Sequence, residues 1–242
     1  MALRIAFDLD GVLADMDAAL LRQAEIAFGE AITRRLPEGA ATEGERAGLK
    51  TGAKDDQLAD EPPADPKGAI AGFPMTRRLQ RRLWHHIRSV DNFWETLEEI
   101  EAGSIVRLAR LAVERRWEII FLTRRPRSAG DTSQVQTQRW LQSKGFPLPS
   151  TYVVPGSRGR IAAALGLDYV IDDTPENCLD VVADSNARAV LVWRRNETQL
   201  PTAARRLGIE VVTCVGECLD MLAQVDIPVV RTAPVERRAV MS

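Results

Sequence analysis

Two aspartates one residue apart, Asp8 and Asp10, close an apolar run near the start of the chain and are followed directly by Gly11. A second acidic pair, Asp172 and Asp173, closes another apolar run, and a third run ends in Thr123 with Arg124 and Arg125 behind it. Carboxylates held a few ångströms apart repel and raise one another's pKa unless a cation joins them. Oxygen donors of this type are what Mg²⁺ takes, usually one or two carboxylates with waters and a phosphate. On an extended chain Asp8 and Asp10 point the same way, and the Asp10 carbonyl stays free for the same ion. Gly11 lets the backbone turn sharply behind them.

Secondary structure must bring these scattered groups together. The strand candidates are Arg4–Leu9, Trp117–Leu122, Thr151–Val154, Tyr169–Ile171, Ala189–Trp193 and Glu210–Thr213. Each is nearly continuous in apolar residues, which marks parallel strands buried on both faces. Helical patterns alternate with them. Ile105, Leu108, Leu111 and Ala112 form one stripe, Thr132–Lys144 ends at Gly145, and Ile161–Leu165 ends at Gly166. Thr174 before Pro175 reads as an N-cap with proline at the first helical position. The alternation predicts an α/β fold, a three-layer Rossmann-like parallel sheet. Sites in such a sheet form outside the carboxyl ends of the strands. Asp8, Asp10, Thr123, Arg124, Asp172 and Asp173 fall there, with Arg158 and Arg160 at the start of the helix leading to Tyr169.

About a hundred residues separate Leu9 from Trp117, far more than one crossover helix requires. The division expected is a core of 1–14 and 98–228 with a helical cap, 15–97, inserted after the first strand. Helical segments are placed at roughly 15–35 and 75–100, the second carrying Leu79, Leu83, Trp84, Ile87, Phe93, Trp94 and Leu97. Residues 36–72 are rich in Ala, Gly, Pro, Glu and Asp and are expected to be mobile; the tail 229–242 is expected to fray. In the whole chain of 242 residues, 45% are hydrophobic and 27% charged, an ordinary globular composition. Thirty-two basic against 34 acidic residues, net -2, argue against a nucleic-acid coat or a membrane-surface protein. No run approaches the roughly 18 apolar residues of a membrane span, and Asp8 and Asp10 interrupt any signal-peptide core. Cys178, Cys214 and Cys218 suit neither a disulfide framework nor a zinc site. Reduced thiols and a cytoplasmic location are the expectation.

The segment RIAFDLDGVLAD resembles the first motif of the haloacid dehalogenase-like (HAD-like) hydrolase superfamily. IIFLTRR resembles the second motif and YVIDDTPEN the fourth, in the same order along the chain. DLDGVLAD, LTRRP and VIDD together are most similar to the 5'(3')-deoxyribonucleotidase-like phosphatases, and DNFWETLEEI adds to the likeness. The resemblance covers most of 1–215 outside the insertion. It implies a Mg²⁺-dependent phosphomonoester hydrolase acting on a small phosphorylated metabolite, with a (deoxy)nucleoside monophosphate among the candidates. Asp8 would be the nucleophile and Asp10 the general acid and base. Asp8, the Asp10 carbonyl and Asp172 would hold the metal, with Asp173 in support. Thr123 would donate a hydrogen bond to the phosphoryl group. The third motif departs from the family, which has lysine where SRGR offers only Arg158 or Arg160. Spacing favours Arg158, and Arg160 stays open.

Several residues have simpler readings. The run Arg124, Arg125 and Arg127 suits a solvated loop as well as a grip on substrate phosphate. Trp84, Phe93 and Trp94 suit a core better than a base-stacking surface. Asp15 either reaches the site or caps the first helix of the insertion. His85 and His86, adjacent on a helix, point to different sides and do not chelate together. Two other functions compete with the hydrolase. A phospho-accepting receiver domain would place its adjacent acidic pair first and has no room for the insertion. A catalytically weak binding or regulatory protein that keeps the metal site would explain the missing lysine, but has no need of the full set of acids. A small phosphorylated substrate is expected as partner, with no nucleic-acid polymer and no membrane; the oligomeric state is not readable.

Overall fold

A computed structural model describes residues 2–29, 69–70 and 73–225. Six parallel strands form one sheet: β1 (Arg4–Asp8), β4 (Glu118–Thr123), β5 (Ser150–Val153), β6 (Tyr169–Asp172), β7 (Arg188–Val192) and β8 (Glu210–Val212). Their order is β5-β4-β1-β6-β7-β8. Two short strands, β2 (Ala69–Ile70) and β3 (Phe73–Pro74), pair antiparallel outside it.

The two-residue period of the strands sorts their side chains into two cores, one on each face. Ile5, Phe7, Ile119, Phe121, Ile171, Val190 and Val192 share one buried cluster. The residues between them, Ala6, Ile120, Leu122, Val170, Ala189 and Leu191, belong to the other. Helices α3 (Ser104–Arg115), α4 (Ser133–Ser143) and α8 (Val215–Ala223) cover the first face through Ile105, Leu108, Trp140 and Leu219. Helices α5 (Arg158–Leu165), α6 (Pro175–Asp184) and α7 (Thr202–Arg206) cover the second through Ala162, Val181 and Ala204. The protein is a three-layer α/β sandwich. Strand β1 lies at its centre, where the chain order switches direction, so the crevice of the fold opens beyond Asp8.

Helices α1 (Met16–Phe28) and α2 (Arg77–Ser89) pack on one another, and their buried Leu20, Ala24, Leu83, Trp84 and Ile87 join the first cluster. Asp15 caps α1, accepting from the Ala18 amide at 2.9 Å, and this settles its role in favour of the cap. Helix α1 stops at Gly29, so only part of the helix placed at 15–35 is described. The helix expected over 75–100 ends at Ser89. Asn92 then takes a left-handed conformation and its side chain accepts from the Asp131 amide at 2.9 Å, so Phe93–Glu95 forms only a 3-10 turn. A tertiary bond overrides the local pattern there. Apart from Ala69–Ile70, the segment expected to be mobile, 36–72, and the tail 229–242 lie outside the described residues.

Helix α5 is set against α6 at close range. A Cβ on Gly159 would stand 2.1 Å from the Asp180 carbonyl oxygen. Asp180 also accepts from the Ser157 hydroxyl at 2.7 Å and the Gly159 amide at 3.1 Å, which fixes the start of α5. Gly159→Ala is expected to destabilise the protein by about 1–3 kcal/mol, the usual cost of overpacking, read from the midpoint of urea unfolding.

Candidate active site

The parallel register places the chemistry. Asp8 at the end of β1 is opposite Leu122 in β4, one residue short of Thr123, and Phe7 is opposite Ile171 in β6, one short of Asp172. The side chains of Asp8, Thr123 and Asp172 therefore gather at one edge of the sheet, and all three are buried. Beyond Asp8 the backbone reverses: the Leu13 and Ala14 amides donate back to the Leu9 carbonyl. Gly11 takes φ +87°, and a Cβ there would lie 2.2 Å from Oδ2 of Asp173, so only glycine admits the second acidic residue at this turn.

Arg158, at the first turn of α5, is buried to 2% exposure. Its Nη2 donates to Asp8 Oδ1, and its Nε lies 3.6 Å from Asp172 Oδ2. Both Nε and Nη1 are buried with no hydrogen-bond partner among the described residues. Orphaned guanidinium N–H groups are costly, and each is a charged donor able to meet a phosphoryl oxygen. Arg160 points away, 85% exposed, 3.9 Å from Asp184. Of the two arginines in SRGR, only Arg158 enters the cluster.

Asp172 is held from its other side: Asn177 Nδ2 donates to both its oxygens at 3.0 Å and the Thr174 amide donates at 2.9 Å. Thr174 precedes α6 as expected, with Pro175 at its first turn, but its hydroxyl does not cap the helix. It faces Asp173 at 3.4 Å, because the caps of this loop are turned toward the acidic pair. Arg124 is exposed at the rim, with Nη2 3.4 Å from both the Gly156 carbonyl and Asn177 Oδ1.

Reading LTRRP as a solvated loop misplaces Arg125. Arg125 is 3% exposed and clamps Asp10: Nη2 donates to Oδ1 at 2.8 Å, and Nε lies 3.1 and 3.0 Å from the two oxygens. Thr123 Oγ1 donates to the same carboxylate at 3.1 Å, and Arg125 Nη1 donates to Thr137 at 3.0 Å. The guanidinium lies over the rings of Trp94 and Trp140, 5.0 and 5.5 Å from their centroids. Trp84, Phe93 and Trp94 are accordingly core residues, and Trp94 also serves the site from behind. Arg125 and Arg124 look alike in sequence. The signal that separates them is the tryptophan at 94, which only the fold brings near.

Burial pushes the Asp8 carboxyl well above the ordinary range, with the Asp172 charge adding to it and Arg158 opposing it. Burial likewise raises Asp172, against the pull of Arg158. Asp173 is pushed up to about 7, by burial and then by the Asp172 charge. Among the described residues no three carboxylates, imidazoles or thiols are grouped so as to hold a metal ion as they are arranged. The donor chemistry fits a hard divalent cation all the same. Asp8, Asp172 and Asp173 are oxygen donors crowded into one buried cluster, where a cation relieves the repulsion that raises their pKa values.

No protein-family model matches the chain, and no curated protein matches it in sequence. Its fold is shared with solved structures. A HAD-family hydrolase from Deinococcus radiodurans R1, with bound phosphate and sodium, superposes with a TM-score of 0.51 at 18% identity, over 92% of this chain and 95% of that one. A haloacid dehalogenase-like family hydrolase from Streptococcus pneumoniae gives 0.50 at 10% identity, over 91% and 98%. The chain has the HAD-like fold that its motifs resemble. No helix among the described residues is long and apolar enough to cross a membrane.

Arg125→Met is expected to cost about 3–5 kcal/mol of unfolding free energy, because it strands a partly buried carboxylate, whereas Arg124→Gln changes stability by less than about 0.5 kcal/mol. Urea melts of the two variants compare them directly. The acidic cluster also sets a pH dependence. Asp8, Asp172 and Asp173 keep protons in the folded state that the unfolded chain sheds near pH 4, so their contribution is lost as pH rises, for Asp173 through about 7. In metal-free buffer Tm is expected to fall between about pH 5 and 8, and added Mg²⁺ to raise it more at pH 8 than at pH 5. Equal Mg²⁺ responses at both pH values would contradict the assignment of these carboxylates to the ion.

Proposed function

We propose that the protein is a phosphomonoester hydrolase that works through an aspartyl-phosphate on Asp8. The observation that carries this reading is the buried pairing of Asp8 with Arg158, whose Nε and Nη1 have no hydrogen-bond partner among the described residues, beside a clamped Asp10 two residues along the chain. A nucleophile for a phosphate dianion has to approach it against charge repulsion. Arg158 offsets that repulsion, and its unpartnered Nε and Nη1 take up phosphoryl oxygens.

In the first step an Asp8 carboxylate oxygen bonds to phosphorus as the P–O bond to the leaving group breaks. Asp10 gives that departing oxygen a proton and is left as a carboxylate, whose charge Arg125 and Thr123 accept. In the second step Asp10 takes a proton from water, the hydroxide oxygen bonds to phosphorus, and the Asp8–phosphorus bond breaks to release inorganic phosphate. Mg²⁺ held by Asp8, Asp172 and the Asp10 carbonyl, with Asp173 in support, would supply neutralisation of phosphoryl charge. Thr123, whose single hydroxyl proton goes to Asp10 without substrate, turns it to the phosphoryl group when substrate binds, and Arg124 at the rim meets the substrate phosphate as it enters. Arg158 replaces the lysine of the family with the same charge and a planar, bidentate donor.

A small phosphorylated metabolite is the substrate class that the motif resemblance implies. A nucleoside monophosphate rests on the resemblance of DLDGVLAD and LTRRP alone, since Trp84, Phe93 and Trp94 are buried and offer no face to a base. The test is phosphate release from an aryl phosphate and a panel of nucleoside and sugar monophosphates, with and without Mg²⁺. Metal-dependent turnover is expected, absent in Asp8→Asn and reduced about 10²–10³-fold in Arg158→Gln. Folded protein that binds Mg²⁺ and turns over none of the panel would favour a binding protein that keeps the site.

A further inference from the structure

Helix α2 reads RRLQRRLWHHIRS, five arginines and no carboxylate, in a chain whose net charge is -2. Between this helix and the end of α1 lies a cavity of about 600 Å³. Its walls include Phe28, Arg78, Arg81, Arg82, His85 and His86, and among the described residues no acidic side chain lines it. Arg82 is stacked over the Phe28 ring at 5.1 Å, and His86 is tied to Gln23 across the helix pair at 2.9 Å. Arg78 and Arg81 have no ion pair or hydrogen bond among the described residues. Arg78 stands one turn from both Arg81 and Arg82, a spacing at which like charges destabilise a helix.

We infer that this cavity binds a small polyphosphate anion. Guanidinium groups fit phosphate oxygens as paired donors, and several of them around one cavity call for more than one phosphate charge. The cavity sits at the far end of α1, about 18 Å along the helix from Asp15, so it is separate from the Asp8 crevice and does not depend on the chemistry proposed there.

The test is calorimetric titration of the full chain with inorganic tripolyphosphate in metal-free buffer, so that every carboxylate of the protein competes for the same cations. Three variants accompany it. Arg78→Gln/Arg81→Gln removes the unpaired cations but keeps the Arg82–Phe28 stack, and circular dichroism checks its fold. Arg158→Gln removes the cation of the Asp8 crevice. Arg160→Gln removes an exposed arginine from elsewhere on the surface. Saturable binding that weakens at least tenfold in the double variant, and less than twofold in the other two, is the expected result. No saturable binding, equal weakening in all variants, or weakening in Arg158→Gln alone overturns the proposal. Binding of a single-stranded RNA oligonucleotide without binding of tripolyphosphate would overturn it too, in favour of a polymer surface.

Discussion

The structure is organised around the cost of burying carboxylates at the end of its central strand. Asp8 and Asp172 are almost fully enclosed, and an enclosed carboxylate without a cation is several kcal/mol out of balance. Arg158 meets both, and much of the surrounding architecture serves to seat it. Ser157 and Asp180 fix the first turn of α5, and Gly159 lets that turn lie directly against α6. Replacing such an ionic cluster by apolar side chains is often neutral or stabilising, so stability alone does not account for it. The proposed reception of a phosphoryl anion does.

Two arginines carry separate parts of this arrangement. Arg158 comes from the helix side with donors to spare, whereas Arg125 has its Nε and both terminal nitrogens engaged by Asp10 and Thr137 and its faces covered by two tryptophans. The first is placed to act on a ligand and the second to hold a side chain still. A third, Arg194, works on the backbone. From beyond β7 it donates to the Gly11 carbonyl at 2.6 Å and the Val12 carbonyl at 3.1 Å, and it pairs with Glu101. Burial pulls the Glu101 carboxyl up, but the Val215 and Gly216 amides and Arg194 outweigh it and hold the group below its ordinary range. The turn behind Asp8 is thereby tied to the start of α8. Lysine, a flexible point charge, would not make the paired contacts that Arg125 and Arg194 make.

Charge is distributed unevenly through the rest of the molecule. The sheet edge concentrates carboxylates around two buried guanidinium groups, while α2 presents arginines with no acid on the same helix. A net charge near zero conceals both. Local charge of opposite sign thus gathers in separate parts of one small protein.

The sequence by itself determined the class of fold and which polar groups stand at the carboxyl ends of its strands. Continuous apolar runs ending in Asp8, Thr123 and Asp172 and alternating with helical patterns mark buried parallel strands, because strands covered by helices on both faces keep apolar side chains on both sides. Caps are equally local, as Asp15 and Gly166 show. Only the tertiary structure decided what depends on residues far apart in the chain. It separated Arg158 from Arg160 by the helical phase of α5, and Arg125 from Arg124 by the tryptophans brought up from 94 and 140. It ended the helix before Asn92 because a bond to the Asp131 amide outweighs a local pattern. Adjacent arginines are identical in composition and propensity; burial, which distinguishes them, belongs to the packed fold and not to the chain.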